Sequence, residues 1–374
     1  MKQKELKFML KQISRLAISL GMAILIGITR PLPAHASTGL NSIGFSSALT
    51  LALIDPTFDP ANVRLGITPT GWSNSDDLTI DLDPPISDKQ IMSEIALSEF
   101  KGTQGAPKFP KDVAVLKQDL ETRGLTISEP WVGTFFTIGA ADESYRILDE
   151  QIAFMNNFDS NIIVVAELGE AVHQQPIDPL TNRPILTDAR WKQLTDGLNE
   201  LGRRANAAGK VLCYHPHVGT AVATVADIDR LMTNTDPNSV HLLLDTGHIS
   251  YAMALEYPGV DIFGLPLEVA KKYRDRIKHV HMKNIREDKL TNAVNSEKSF
   301  LSAIRDGVFT VPGDIATGAI DFEPILQELA NANYQGWLMV EAEQDPNTTM
   351  TDYGMESLEY ALMARGYLRE VTGL

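Results

Sequence analysis

From Val63 onward two patterns alternate along the chain. Short runs of aliphatic and β-branched residues recur as VRLGIT (63–68), LTISEPWV (125–132), NIIVVAE (161–167), KVLCYH (210–215), VHLLLDT (240–246), IKHVHMK (277–283) and GWLMVEAE (336–343), with a shorter candidate at EFKGTQG (99–105). Near-continuous apolar runs of this length read as strands buried on both faces. Between them, apolar residues at i, i+3 and i+4 predict helices over 86–100, 112–124, 142–158, 188–209 and 297–307. Ser87 fits an N-cap, and several helical segments end at Gly, the usual residue just past a helix end. Eight strands alternating with helices predict a parallel sheet covered by helices. Eight units fit a closed (β/α)8 barrel, one domain over residues 62–374, better than an open doubly wound sheet.

The first stretch stands apart from this alternation. Lys2, Lys4, Lys7, Lys11 and Arg15 precede an apolar run from Leu16 to Ile28, and Ala34-His35-Ala36 follows. That order is the pattern of a secretory signal peptide over residues 1–36, with cleavage near Ser37. The run is short of the ~20 residues a membrane span needs. A second apolar patch, ALTLALI at 48–54, leaves an uncleaved anchor as the alternative. Residues 37–61 read as a linker or N-terminal extension. The expectation is an exported, periplasmic or secreted protein without a stable membrane span once the signal is removed.

Composition is that of an ordinary globular chain, 44% hydrophobic and 22% charged. Formal net charge is −15; residues 1–36 hold six Lys/Arg and one Asp/Glu, so the remainder carries 27 against 47, or −20. A surface this acidic disfavours nucleic acid and anionic lipid as partners. No GxGxxG or phosphate-loop pattern follows any strand. The lone cysteine, Cys213, excludes an internal disulfide and a cysteine-type zinc site.

Candidate chemistry concentrates at strand ends. Five of eight histidines, His215, His217, His248, His279 and His281, lie at the C-terminal ends of three predicted strands. Glu167, Asp245, Glu341 and Glu343 end further apolar runs. In HVHMKN (279–284) the period of two puts His279, His281 and Lys283 on one strand face. One polar strand end is ordinary packing or a helix cap. Several together imply a cation or a polar cavity, because a buried carboxylate without a partner costs several kcal/mol. Barrels build their sites at this end. Imidazole nitrogen mixed with carboxylate oxygen suits Mn²⁺, Co²⁺, Zn²⁺ or Fe²⁺ rather than Ca²⁺, and such an ion acts as a Lewis acid on an oxygen substrate.

Taken together, NIIVVAE, YHPHVGT, LLLDTGHISYA, HVHMKNIR, SFLSAIRDGVFTVPGD and GWLMVEAEQDP resemble the xylose isomerase-like TIM barrel superfamily and, within it, the inosose dehydratases. GITPTGWSNSDD (66–77) and PKFP (107–110) match as well, so the resemblance spans about residues 62–346. It implies a lyase that dehydrates 2-keto-myo-inositol, a neutral keto-cyclitol, with a divalent metal such as Mn²⁺ or Co²⁺. By position the metal set is His215, Asp245, His281 and Glu341. Glu343 faces the same way as Glu341, and the wider pattern favours Glu341. Dehydration needs a base for the proton α to the ketone, for which His217, His248 and Glu343 are candidates. Lys283 and Lys108 are candidates to hold hydroxyls or the developing oxyanion. Trp72 and Trp131 are candidate walls against a ring, with plain packing as the alternative. Glu167 is a candidate hydrogen-bond acceptor for substrate or an orienting partner for a ligand histidine.

The chain departs from that family's pattern at two acid positions. GTQGA (102–106) stands where the family commonly reads GTELG, and HVHMKN where it reads HVHLKD. Gln104 and Asn284 therefore keep shape and lose charge at candidate substrate contacts. IATGA (315–319) lengthens the loop after FTVPGD. Two other readings follow: a metal-dependent sugar or cyclitol isomerase or epimerase, and an exported carbohydrate-binding protein without catalysis. A homo-oligomer is compatible with all three.

Overall fold

The computed structural model describes residues 58–374. The signal peptide, its cleavage site, the patch at 48–54 and nearly all of the 37–61 linker lie outside them.

The strands are β1 (Val63–Ile67), β2 (Gly102–Gln104), β3 (Thr126–Glu129), β4 (Trp131–Thr134), β5 (Ile162–Glu167), β6 (Val211–Tyr214), β7 (His241–Asp245), β8 (Ile277–Met282), β9 (Asn284–Ile285), β10 (Phe309–Thr310) and β11 (Gly336–Val340). The main sheet runs β3-β2-β1-β11-β8-β7-β6-β5-β4, with every pairing parallel. Its two edges, β3 and β4, are halves of one predicted strand, LTISEPWV, separated by Pro130. Proline has no N–H for the ladder, so the strand pairs with β2 before it and with β5 after it. The ring thereby closes into the expected eight-unit barrel. All eight predicted strands form, most ending one to three residues short of the sequence reading.

All five predicted helices form, over Asp88–Leu97, Val113–Glu121, Ala141–Met155, Asp188–Ala207 and Phe300–Arg305. The Ser87 side chain accepts from Gln90 N, and Asp112, Thr187 and Ser299 cap three of the others in the same way. The sequence reading missed helices that include Thr246–Ala252, Leu265–Tyr273, Glu323–Asn331 and Ser357–Thr372. The first of these begins directly after β7, so its polar start merges with the strand end.

Core packing separates into two shells. The larger cluster joins helices to the outside of the sheet. The smaller one, Ile162, Val164, Cys213, Leu243, Trp337 and Met339, holds alternate residues of β5, β6, β7 and β11, and so marks the barrel interior. Gly66 and Gly102 make room there: a Cβ at either would collide with Met339 or Trp337. One step of two along each strand leads from this apolar floor to the polar strand ends: Cys213 to His215, Leu243 to Asp245, Met339 to Glu341.

Beyond Lys283 the chain forms a small antiparallel pair, β9 with β10. Asn284 Oδ1 accepts from Ile285 N and Ile320 N, both at 2.9 Å. The inserted loop 315–319 is thus tied to the end of β8 by this amide.

Candidate active site

Four side chains that the sequence could only place at separate strand ends converge at the C-terminal mouth. His281 Nδ1 lies 2.9 Å from Glu341 Oε2 and 3.7 Å from Asp245 Oδ2, and His215 Nε2 lies 3.3 Å from Asp245 Oδ2. Ladder register explains part of this, since Asp245 pairs directly with His281. One donor atom from each of the four falls within 4.8 Å of all the others, and all four residues are buried. Two imidazole nitrogens and two carboxylate oxygens at such spacing fit a divalent transition-metal ion. Burial drives the Asp245 carboxyl up to about 7, although Lys283 opposes the rise. Glu341 is held well below the carboxylate range, because His281 and Lys283 outweigh its burial.

Glu343, two residues on, belongs to a second group with His217 and His248. The Lys283 ammonium donates to Glu343 Oε2 at 2.6 Å and to His248 Nε2 at 2.8 Å, and lies 3.1 Å from Glu341 Oε2. Burial disfavours its charge, yet Glu341, Glu343 and Asp245 together raise its pKa, so it is a fixed cation. Burial pushes Glu343 up to about 7, with Lys283 opposing and Glu341 adding to the rise. His217 and His248 are driven well below the usual histidine range by burial and by neighbouring imidazoles and Lys283. Both are therefore neutral. His217 Nδ1 donates to Val218 O at 2.8 Å, which leaves its Nε2 as the basic nitrogen.

A cavity of about 220 Å³ opens onto both groups, lined by His215, His217, Glu341, Glu343, Trp131 and Gln104 together with Asp76, Gln174, Ser75 and Thr70. His248 and Lys283 do not line it and stand behind Glu343. Gln104 is buried and its Nε2 has no hydrogen-bond partner. Trp131 forms a wall, and its Nε1 donates to His215 Nδ1 at 3.1 Å.

Four sequence-predicted residues take other places. Trp72 is a core residue whose Nε1 donates to Glu94 Oε2 at 2.5 Å, so plain packing accounts for it. The Glu167 carboxylate accepts from Thr134 Oγ1, Phe136 N, Thr137 N, Thr137 Oγ1 and Gly169 N. With those donors it organises the loops after β4 and β5 rather than meeting a ligand. Lys108 pairs with Asp81 and does not itself line the cavity, although its neighbour Pro107 does. Asn284 is taken up by the β9 turn described above. Cys213 lies in the barrel floor, and burial pushes its thiol up, which makes it inert.

Sequence reasoning missed the lining residues Thr70, Ser75, Asp76 and Gln174, and two buried residues behind the lining, His173 and Glu129. His173, on the loop after β5, is buried with its ring 5.0 Å from that of His217, and neither nitrogen has a hydrogen-bond partner. Asp76 Oδ2 lies 3.8 Å from His173 Nε2, and Gln174 donates to Asp76 Oδ1 at 3.0 Å. No periodic pattern surrounds His173 in sequence. The other is Glu129, the last residue of β3, which lies beneath His281; its position before Pro130 in an apolar run was the available signal.

Residues 94–361 match the family model of the xylose isomerase-like TIM barrel. The chain is 43% identical over 315 residues to the inosose dehydratase of Clostridium perfringens, covering 84% of this chain and 99% of that one. Against the inosose dehydratase of Geobacillus thermodenitrificans it is 41% identical over 319 residues, covering 85% and 100%. Among solved structures it is similar to the IOLI protein with a binding zinc atom, at a TM-score of 0.57 and 15% identity, covering 83% of this chain and 98% of that one. It is also similar to the probable 3-DHS dehydratase AsbF of Bacillus anthracis, at a TM-score of 0.56 and 13% identity, covering 82% and 98%.

Proposed function

Because the chain belongs to the xylose isomerase-like TIM barrel family and, within it, to the inosose dehydratases, we propose that it removes water from a neutral keto-cyclitol of the 2-keto-myo-inositol type. The observation that carries this reading is the pairing of two groups on one cavity: a four-donor set and, beside it, a carboxyl brought close to neutrality.

His215, Asp245, His281 and Glu341 would hold a divalent ion, with Mn²⁺ or Co²⁺ favoured and Zn²⁺ or Fe²⁺ also compatible with the donors. Such an ion supplies Lewis-acid polarisation of a ketone. Glu343, ionised against Lys283, takes the proton α to the ketone. The resulting carboxylic acid then protonates the departing β-hydroxyl, so the proton taken from carbon leaves in the water. Lys283 holds Glu343 in place and favours its ionised form against burial. His217 accepts a substrate hydroxyl at Nε2. Trp131 packs against the ring and Gln104 donates its free amide to a hydroxyl. Charge loss at Gln104 leaves this scheme intact, since neither proton transfer uses it.

Purified protein loaded with Mn²⁺ or Co²⁺ and given 2-keto-myo-inositol should produce the dione, read by its absorbance. Solvent deuterium entering the substrate without loss of water would instead establish an isomerase or epimerase. A protein that binds neither ion nor substrate would leave the carbohydrate-binding reading without support as well. Export is proposed on residues 1–36 alone, and cell fractionation tests it. Among the described residues no helix is long and apolar enough to cross a membrane.

A further inference from the structure

The barrel floor is apolar at Cys213, Leu243 and Met339, but one corner of it is not. Glu129, from the end of β3, meets two rings carried by β8. Its Oε1 lies 3.5 Å from His281 Nε2 and its Oε2 lies 3.5 Å from His279 Nε2. All three residues are wholly buried, at 0% exposure. None of the facing atoms, Glu129 Oε1 and Oε2, His279 Nε2 and His281 Nε2, has a closed hydrogen bond. Aliphatic side chains would fill this corner without any charge to compensate, as they do at neighbouring strands, so packing does not account for the three.

His281 is the shared member of this group and of the four-donor set. Its two nitrogens face opposite ways, Nδ1 towards Glu341 and Asp245, Nε2 towards Glu129. A neutral imidazole carries one N–H, and the other nitrogen is the ligand. Nδ1 faces the donor set and lies 2.9 Å from Glu341 Oε2, so once Nδ1 ligates an ion there the single hydrogen of His281 is on Nε2, facing Glu129. We propose that Glu129 is a positioning residue for the divalent ion: it accepts the Nε2–H of His281, fixes the ring's rotation and tautomer, and is itself anchored through its second oxygen by His279. The proposal rests on the cation site proposed above. It also gives HVHMKN a division of labour along one strand face: His279 supports, His281 ligates and Lys283 governs Glu343.

Three full-length variants, Glu129→Gln, Glu129→Asp and His279→Gln, test it with Mn²⁺ alone and no substrate. Glu129→Gln should weaken Mn²⁺ binding ~10–100-fold and alter the visible absorption of the Co²⁺-loaded protein. Glu129→Asp should recover part of the affinity, and His279→Gln should weaken binding by less than Glu129→Gln. Unchanged Mn²⁺ affinity and an unchanged Co²⁺ spectrum in Glu129→Gln overturn the proposal, as does binding of two ions per chain, which would make Glu129 a ligand. Wild-type protein that binds no Mn²⁺ overturns the underlying site instead. If Glu129→Gln does not fold, nitrogen-15 spectra of the histidines in Zn²⁺-loaded wild type decide. Ligation of His281 through Nδ1 with a hydrogen-bonded Nε2–H supports the proposal, and ligation through Nε2 overturns it.

Discussion

Glu341 and Glu343 are two residues apart, point to the same side after β11 and are both nearly excluded from water, yet they behave as opposites. Glu341 sits against the imidazole of His281 and within 3.1 Å of Lys283, and is held well below the carboxylate range. Glu343 has Lys283 on one side but Glu341 and Asp76 acting against it, and rises to about 7. Burial acts on both in the same sense. The neighbours decide between a permanent anion fit for a cation and a carboxyl able to exchange a proton near neutral pH.

The largest effect that would break this comparison is loss of the anion. Glu341→Gln should abolish Mn²⁺ binding in a titration and lower the dehydration rate by about 10³-fold or more, the scale of losing a Lewis acid. Glu343→Gln should lower the rate by about 10²–10³-fold while leaving Mn²⁺ affinity within about threefold. If Glu343→Gln also lost the ion, the two residues would not have separate roles.

Lys283→Met sharpens the same contrast. It leaves Glu341, Glu343 and Asp245 buried without their shared ammonium, and should cost about 3–5 kcal/mol in urea denaturation. Its pH profile carries a second readout. Glu343 acts as a base only when ionised, so kcat/KM of the wild type should rise with pH through about 7 and then level off. Lys283 lowers the Glu343 pKa; its removal should move that rising limb to higher pH. A limb that stays in place would assign the titration to another group.

The smallest effect concerns Asn284. Its Oδ1 caps two buried backbone N–H groups. Asn284→Ala should therefore cost about 1–3 kcal/mol of stability. Asn284→Asp, which keeps both acceptors, should change the rate by less than about threefold.

Legibility of the fold followed from periodicity. Seven of the barrel strands announced themselves by runs of apolar residues, whereas β2 in EFKGTQG was a weak candidate and β9 and β10 left no signal; the broken third barrel strand was read as one segment because Pro130 interrupts pairing without ending the run. Helices whose starts merge with strand ends, such as Thr246–Ala252, left no separate signal. In the site, His281 and Lys283 were placed on one face by a period of two, and Asp245 and Glu341 by ending their strands. Glu167 shares that signature, but its loops supply N–H and O–H donors that only folding brings to it. Lys108, Trp72 and Asn284 likewise found protein partners distant in sequence: Asp81, Glu94 and Ile320.

By itself the sequence determined the barrel, the end at which polar residues gather and which of them share a face, because alternation along a strand is a property of the chain. Which of two like carboxylates becomes the fixed anion, and that Glu129 and His173 join the site, only the tertiary structure decided. Both depend on charges and hydrogen-bond partners from other strands, and Coulomb interactions in a buried site are set by distances in space that sequence spacing does not encode.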